Sequence, residues 1–317
     1  MPAMKEPPAA DAPRAITLTS SERAAGQLNH ANLQRALEGL HQDGLLLLKQ
    51  VVDIAHVDHL REVMSEETAE ILKSNERGGI YNQGVQSNIL QQMPLEREDC
   101  LFDDVYFNPY IIQIANAYLG TKPIWNFTTG NNALANTKGM RQPVHKDIMF
   151  EHPTCPFYFI ANLPLTDFSP ANGSTEFWLG SHAHTTSADQ TARVEGNAGQ
   201  RPGDPDCNVR PEVYERRREV QPPIQVVAEK GDMFIRDLRT FHAGMPNESD
   251  EDRIMVAVGY QAPWYPNWRQ QLYLPHKHAN FFMRHGGQPV EVRANMLEDK
   301  DLDQLWKNYD FNFRPSV

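Results

Sequence analysis

Residues 231–260, GDMFIRDLRTFHAGMPNESDEDRIMVAVGY, contain two strand-like runs joined by a histidine and a polar loop. The first run, Asp232 to Arg236, follows a glycine turn, and the second extends from Arg253 to Gln261. Because alternate side chains of a strand point to opposite faces, the second run has two different faces. One face is formed by bulky apolar side chains, and the other carries an arginine and fewer bulky apolar side chains. The first face carries Ile254, Val256, Val258 and Tyr260, and the second carries Arg253, Met255, Ala257 and Gly259. The pattern predicts a packed sheet with room for a ligand beside Arg253.

The rest of the chain predicts a mainly β fold with flanking α-helices. From about Lys122 onward, short β-like runs are broken by Pro, Gly, Asn and Asp, which is typical of a barrel or sandwich. Before that point, apolar residues recur with helical spacing near residues 29–40, 54–72 and 109–119, and a buried strand follows Gly44.

We expect one folded domain preceded by an arm. Residues 1–28 are predicted to form a flexible N-terminal arm, and residues 29–317 a single domain. The segment at about 187–223 is polar and rich in Pro and Gly, so it is predicted to be a lid insertion over one mouth of the barrel. The sequence does not decide whether this lid is ordered.

Charge and cysteine content exclude several classes of protein. The formal net charge is -11, which disfavours nucleic acid as a partner because phosphate binding needs clustered Lys and Arg. No apolar run is long enough to span a membrane, and the N-terminus lacks a secretory signal pattern. Three widely spaced cysteines suggest neither disulfides nor a thiolate site. We expect a cytoplasmic protein with a small-molecule substrate, and the choice between monomer and homodimer stays open.

The stretch Gln142-Pro-Val-His-Lys-Asp-Ile148 offers two candidate metal ligands. In a strand, His145 and Asp147 are two positions apart and point to the same face. This pair binds a divalent first-row metal if a third ligand arrives from another strand, forming a facial triad with open coordination positions. An H-x-D pair alone is a weak signal, because a surface strand with two polar side chains gives the same pattern.

His242 supplies the third candidate ligand, at the exit of the strand that precedes it. An antiparallel return of the chain would place Arg253 near His242, deep in the barrel. A buried guanidinium without a partner is costly, so Arg253 needs an anion, and a bound dicarboxylate provides one.

Three stretches together resemble the phytanoyl-CoA dioxygenase family of iron(II)/2-oxoglutarate oxygenases, and its fungal natural-product branch in particular. They are Pro143–Asp147, Pro170–His182 and His242–Asn247, and Arg253 follows them. The proline that the family usually has in its P-G-S-H step is Leu179 here. His182 and His184 fall in this turn and are interpreted as structural.

The resemblance implies a double-stranded β-helix (jelly-roll, cupin-like) barrel in which His145, Asp147 and His242 hold Fe(II). It implies that Arg253 anchors the far carboxylate of 2-oxoglutarate and that Gln142 and Thr175 contact this co-substrate. With O2 as oxidant, the implied reaction oxidises an unactivated C–H bond and releases succinate and CO2. The net charge of -11 does not favour binding of the phosphates of an acyl-CoA, so a small apolar metabolite is the expected substrate. Hydroxylation, desaturation and ring formation all stay open, and secondary metabolism is the expected setting.

Two alternatives stay open at this point. A cupin-type metal enzyme independent of 2-oxoglutarate would use Arg253 to anchor its substrate. A non-catalytic barrel would bind a ligand without turnover. The aromatic residues Trp264, Tyr265, Trp268 and Tyr273 are candidates for a substrate pocket, although core packing or subunit contact is the more common use of such a cluster.

Overall fold

The computed structural model describes residues 12–74, 81–82, 86–192, 203–307 and 311–316. The helices are α1 (Ser20–Ala25), α2 (His30–Asp43), α3 (Ile54–Ser74), α4 (Asp103–Tyr106), α5 (Pro109–Tyr118), α6 (Pro211–Val220), α7 (Ala279–Arg284) and α8 (Asp303–Lys307). The strands before the insertion are β1 (Arg14–Thr17), β2 (Leu45–Lys49), β3 (Asn88–Gln91), β4 (Ile124–Ala133), β5 (Tyr158–Pro164) and β6 (Glu176–Phe177). The later strands are β7 (Gln190–Ala192), β8 (Pro205–Val209), β9 (Ile224–Gln225), β10 (Met233–Asp237), β11 (His242–Ala243), β12 (Met255–Gln261), β13 (Leu272–Pro275), β14 (Glu291–Val292) and β15 (Ala294–Leu297).

Eleven of the described strands form a large sheet and a small sheet that pack together, and two further pairs, β13 with β15 and β7 with β8, form separate two-stranded sheets. The large sheet has the order β1-β2-β10-β5-β12-β4-β14, with β3 paired to β4, and the small sheet has the order β11-β6-β9. Phe177 of the small sheet lies 5.8 Å from Phe234 of the large sheet, measured between ring centroids. The prediction of a mainly β fold with helices is confirmed, and two packed sheets of this kind agree with a jelly roll.

Strand β2 is buried on both faces, which explains its continuous run of leucines. Leu46 and Leu48 pack into the core shared with the helices, whereas Leu45 and Leu47 pack between the two sheets. A strand buried on both faces needs apolar side chains at every position, which is what Leu45–Leu48 provides.

The N-terminal residues differ from the predicted arm. Residues 14–28 are ordered: β1 pairs in parallel with β2, and α1 begins with a capping box between Thr19 and Glu22. The prediction of a flexible arm over residues 1–28 is therefore wrong from residue 14 onward. The missed signal is Thr19 followed three residues later by Glu22, a sequence typical of a helix start. Residues 1–11 lie outside the described residues.

The helices predicted in the N-terminal half are confirmed, with small shifts at their ends. Asn29 caps α2 through its side chain, and Pro109 opens α5 after the cap residue Asn108. None of the helices in the described ranges is both long and apolar enough to cross a lipid bilayer.

The segment 187–223 contains regular structure on both sides of residues 193–202, which lie outside the described residues. β7 pairs with β8 in antiparallel fashion, and α6 follows β8 directly. Backbone hydrogen bonds join β8 to the H-x-D segment: Lys146 N donates to Cys207 O at 3.1 Å, and Val209 N donates to Val144 O at 2.8 Å.

Candidate active site

The three candidate ligands meet at one point. His145 and His242 exchange two backbone hydrogen bonds of 2.9 Å, so their side chains emerge from neighbouring strand positions. One potential ligand atom from each of His145, Asp147 and His242 lies within 4.8 Å of the other two. His145 occupies an isolated bridge and not a full strand as expected, yet the spacing of two still turns Asp147 to the same side: His145 Nε2 lies 3.7 Å from Asp147 Oδ1.

The ring orientation of both histidines leaves Nε2 free to bind a metal. Nδ1 of His145 lies 2.8 Å from the Pro143 carbonyl oxygen, and Nδ1 of His242 lies 3.1 Å from the Thr240 carbonyl oxygen. A carbonyl only accepts, so Nδ1 donates, and the Nε2 lone pair points toward the other ligands.

The protonation states also suit a metal. Burial lowers the pKa of His145 and lowers that of His242 far more strongly, which keeps both imidazoles neutral at pH 7. Burial by itself would raise the pKa of Asp147, but the neighbouring Arg236 guanidinium, through its charge and its hydrogen bond, lowers the pKa well below its usual range. Two neutral imidazoles and one carboxylate form a donor set that fits iron(II).

Arg253 is buried, and the part of the chain that the structure describes offers it no counterion. Its side chain is 1% exposed, and Nε and Nη1 have no hydrogen-bond partner among the described residues. The guanidinium carbon lies 4.5 Å from the centroid of the Phe168 ring, and burial lowers the pKa of Arg253 to about 10. A guanidinium in this state is poised to accept an anionic ligand.

Gln142 and Thr175 line the same cavity as Arg253. Gln142 Oε1 accepts a hydrogen bond of 2.8 Å from Gly244 N, while its buried Nε2 has no partner among the described residues. A Cβ atom at Gly244 would lie 2.6 Å from Gln142 Oε1, so a glycine is needed for this contact. Thr175 is buried beside the small sheet.

All six predicted site residues line one cavity of about 720 Å³. The sequence analysis missed other residues of its wall, which come from distant parts of the chain: Asn162, Asp206, Arg236, Phe311 and Phe313. The C-terminal aromatic rings reach the barrel, since Phe311 lies 4.3 Å and Phe313 5.4 Å from Phe127 between centroids. Alternation along β10 puts Arg236 on the face that lines the cavity, so this residue could have been predicted from the sequence. No local pattern predicts that Phe311 or Phe313 reaches the cavity.

Other candidates from the sequence lie elsewhere. His182 is buried and His184 is exposed, and neither lines the cavity. Of the aromatic cluster, Tyr265 is buried in the core and Trp264 and Trp268 are exposed. A second group of potential ligands, His59, Asp99 and Cys100, lies outside the cavity, and two hydrogen bonds from Arg97 already occupy its carboxylate.

Gly173 supports the loop that follows His242. It adopts a φ of +73°, and a Cβ atom there would lie 2.6 Å from Met245 O and 2.9 Å from Asn247 N. Gly173→Ala is expected to lower the free energy of unfolding by about 1–3 kcal/mol or more, because backbone strain and a backbone collision add. Urea denaturation measures this. Gly26→Ala is the matched control, since Gly26 also has a positive φ but open space around it. If both variants lose the same free energy of unfolding, the predicted collision at Gly173 does not occur.

A mainly β fold with two histidines and an aspartate at the wall of a deep cavity defines a candidate non-haem metal enzyme. The sequence model of the phytanoyl-CoA dioxygenase (PhyH) family matches residues 40–255, more than half of the chain, so the chain belongs to this family. It is therefore an oxidoreductase, a dioxygenase that uses iron and 2-oxoglutarate.

Solved structures of several other proteins have a similar fold. The epimerase SnoN, in complex with Fe3+, alpha-ketoglutarate and a nogalamycin compound, is 20% identical; the match covers 74% of this chain and 84% of SnoN, with a TM-score of 0.52. AviO1 from Streptomyces viridochromogenes is 18% identical over 76% of this chain and 99% of AviO1, with a TM-score of 0.50. EvdMO1 is 18% identical over 73% of this chain and 50% of EvdMO1, with a TM-score of 0.52. At these identities the likeness concerns the fold.

Proposed function

We propose that this protein oxidises an unactivated C–H bond of a small, uncharged, apolar metabolite, with Fe(II) bound by His145, Asp147 and His242. The observation that carries the proposal is the buried guanidinium of Arg253, whose Nε and Nη1 have no hydrogen-bond partner among the described residues and which shares a cavity with three potential metal ligands. Such an arginine destabilises the fold unless the cavity regularly receives an anion. A dicarboxylate held by the metal at one end and by Arg253 at the other meets this need.

The chain's own groups would hold the co-substrate in one orientation. The Arg253 Nε and Nη1 N–H groups would form a charge-assisted pair with its far carboxylate. Gln142 would offer its free Nε2 N–H, while Gly244 N fixes the other end of the amide. Thr175 stands in the same wall. When bound, iron(II) and 2-oxoglutarate supply the oxidising chemistry: O2 oxidises the substrate while the co-substrate is converted to succinate and CO2.

The charges of the cavity wall favour an uncharged substrate. The wall carries two guanidinium groups, Arg236 and Arg253, and two carboxylates, Asp147 and Asp206, which balance one another. The metal dication and the co-substrate dianion also balance. A charged substrate would leave a net charge in a poorly solvated site, which costs free energy. Apolar side chains also line the cavity, among them Phe127, Met149, Ile160, Phe311 and Phe313.

We also propose that the two packed sheets form a double-stranded β-helix and that the folded residues make one domain. The segment 187–223 is proposed to act as a lid, because Cys207 and Asn208 of β8 line the cavity and β8 is bonded to the H-x-D segment. A lid of this kind would keep water from the reacting atoms.

Anaerobic titration of the Fe(II)-loaded protein with 2-oxoglutarate tests the proposed function. A weak visible charge-transfer band is expected, because the keto acid chelates the metal, and admitting O2 should then give succinate. Metal binding without a charge-transfer band, or turnover that does not depend on 2-oxoglutarate, would favour the cupin-type alternative. A chain that binds no metal at all would favour a non-catalytic barrel.

A pair of matched compounds tests the charge of the substrate. A neutral methyl ester of an apolar compound is expected to stimulate 2-oxoglutarate consumption at least about 10-fold more, in kcat/KM, than the corresponding free carboxylic acid, since an unpaired buried charge costs more than about 1.4 kcal/mol. Succinate release is measured for several such pairs. A consistent preference for the acids would contradict the charge argument.

A further inference from the structure

Arg236 occupies a strand position that faces the cavity. In β10, Phe234 and Arg236 line the cavity, whereas Met233 and Ile235 pack into the core on the other side of the sheet. β10 lies between β2 and β5, so the strand is fixed on both edges by backbone hydrogen bonds. The guanidinium of Arg236 therefore projects from a strand that is paired along both edges.

The guanidinium contacts a proposed metal ligand directly. Arg236 Nη2 donates to Asp147 Oδ2 at 2.5 Å, and the side chains of Arg236 and Asp147 are 9% and 24% exposed. The buried Nη1 has no partner among the described residues. Arg239, on the same chain segment, is different, because it makes three hydrogen bonds to Asp237 through its backbone N, Nε and Nη2 and one to Thr154 O through Nη1.

The two oxygens of Asp147 face different neighbours. Oδ1 lies 3.7 Å from His145 Nε2, whereas Oδ2 is held by Arg236 and lies 3.8 Å from His242 Nε2. A carboxylate that is free to rotate offers either oxygen, or both, to a metal. A charge-assisted hydrogen bond from a rigid strand removes this freedom.

We infer that Arg236 is a positioning residue that holds Asp147 Oδ2 and so leaves Oδ1 as the oxygen that meets the metal. The inference rests on the proposed function, since it needs the metal at His145, Asp147 and His242. It assigns the two arginines of the cavity to different tasks: Arg253 to the co-substrate and Arg236 to the metal ligand. Partners that orient a metal ligand typically change metal affinity or activity by about 10–100-fold when they are removed.

Metal titration of the full chain under anaerobic conditions tests this assignment. Arg236→Met is expected to weaken Fe(II) binding by about 10–100-fold in a chelator competition, and to alter the visible absorption of the Co(II)-loaded protein, because Asp147 becomes free to rotate. Arg236→Lys keeps a cationic donor and should recover most of the affinity. Arg253→Met is the matched control from the same cavity, with metal affinity close to that of the wild type because Arg253 is not bonded to Asp147.

The outcomes separate this inference from the proposed function. If folded Arg236→Met keeps the metal affinity and the Co(II) spectrum of the wild type, the inference is wrong, although the proposed function still stands. The same conclusion follows if a loss of thermal stability is the sole effect of the substitution. Arg236→Gln serves as the second variant if the Met variant is not recovered in folded form, and the same two readouts decide. A wild-type protein that binds no metal at these residues would overturn the proposed function as well.

Discussion

Replacing His242 with alanine is expected to abolish tight Fe(II) binding and, with it, 2-oxoglutarate-dependent turnover. His242 and His145 are joined by reciprocal backbone hydrogen bonds, and each turns Nε2 toward Asp147. Among the described residues, His145, Asp147 and His242 are the potential ligands grouped at this point, so the two donors left in the variant hold the metal poorly. The loss of affinity should exceed about 100-fold, because even groups that only orient a ligand contribute about 10–100-fold.

The measurement is the iron content and the Fe(II) dissociation constant of the purified variant, with His145→Ala and Asp147→Ala made in parallel. His184→Ala is the matched control, because His184 is exposed and does not line the cavity. Circular dichroism establishes that each variant is folded. Near-normal iron content in all three triad variants would refute the assignment.

Arg253→Met is expected to have two effects of opposite sign. The affinity for 2-oxoglutarate should fall by about 30- to 5,000-fold, since losing one partner of a buried charge pair costs about 2–5 kcal/mol. The ligand-free protein should become more stable, by about 1 kcal/mol or more, because the variant removes a buried cation that has no counterion among the described residues.

Two titrations separate these effects. Charge-transfer titration at saturating Fe(II) gives the 2-oxoglutarate affinity, and thermal denaturation with and without 2-oxoglutarate gives the stability. Arg239→Met is a useful contrast: Arg239 is fully paired with Asp237, so its loss leaves a buried carboxylate and should lower stability. If Arg253→Met binds 2-oxoglutarate as tightly as the wild type, the proposed role of Arg253 is wrong.

The sequence by itself determined the class of fold and the pieces of the site. Strict alternation in residues 253–261 decided which face of β12 packs and which face lines the cavity, and the structure places Met255 and Ala257 in the wall as expected. The spacing of His145 and Asp147 decided that both side chains point the same way, because that property is local to the backbone. The starts of helices are also determined by local sequence, because the side chains of Asn29 and Asn108 cap α2 and α5.

Only the tertiary structure decided which distant residues share the site. Phe311 and Phe313 reach Phe127, and Arg236 reaches Asp147, across more than 80 residues of chain. These contacts depend on how distant segments pack together, which a pattern within one segment cannot predict. The same reason explains why β1 was missed at the N-terminus: it has only four residues, and it is held as a strand because β2 offers it a backbone edge. The helix α1 that follows did have a local signal, its capping box.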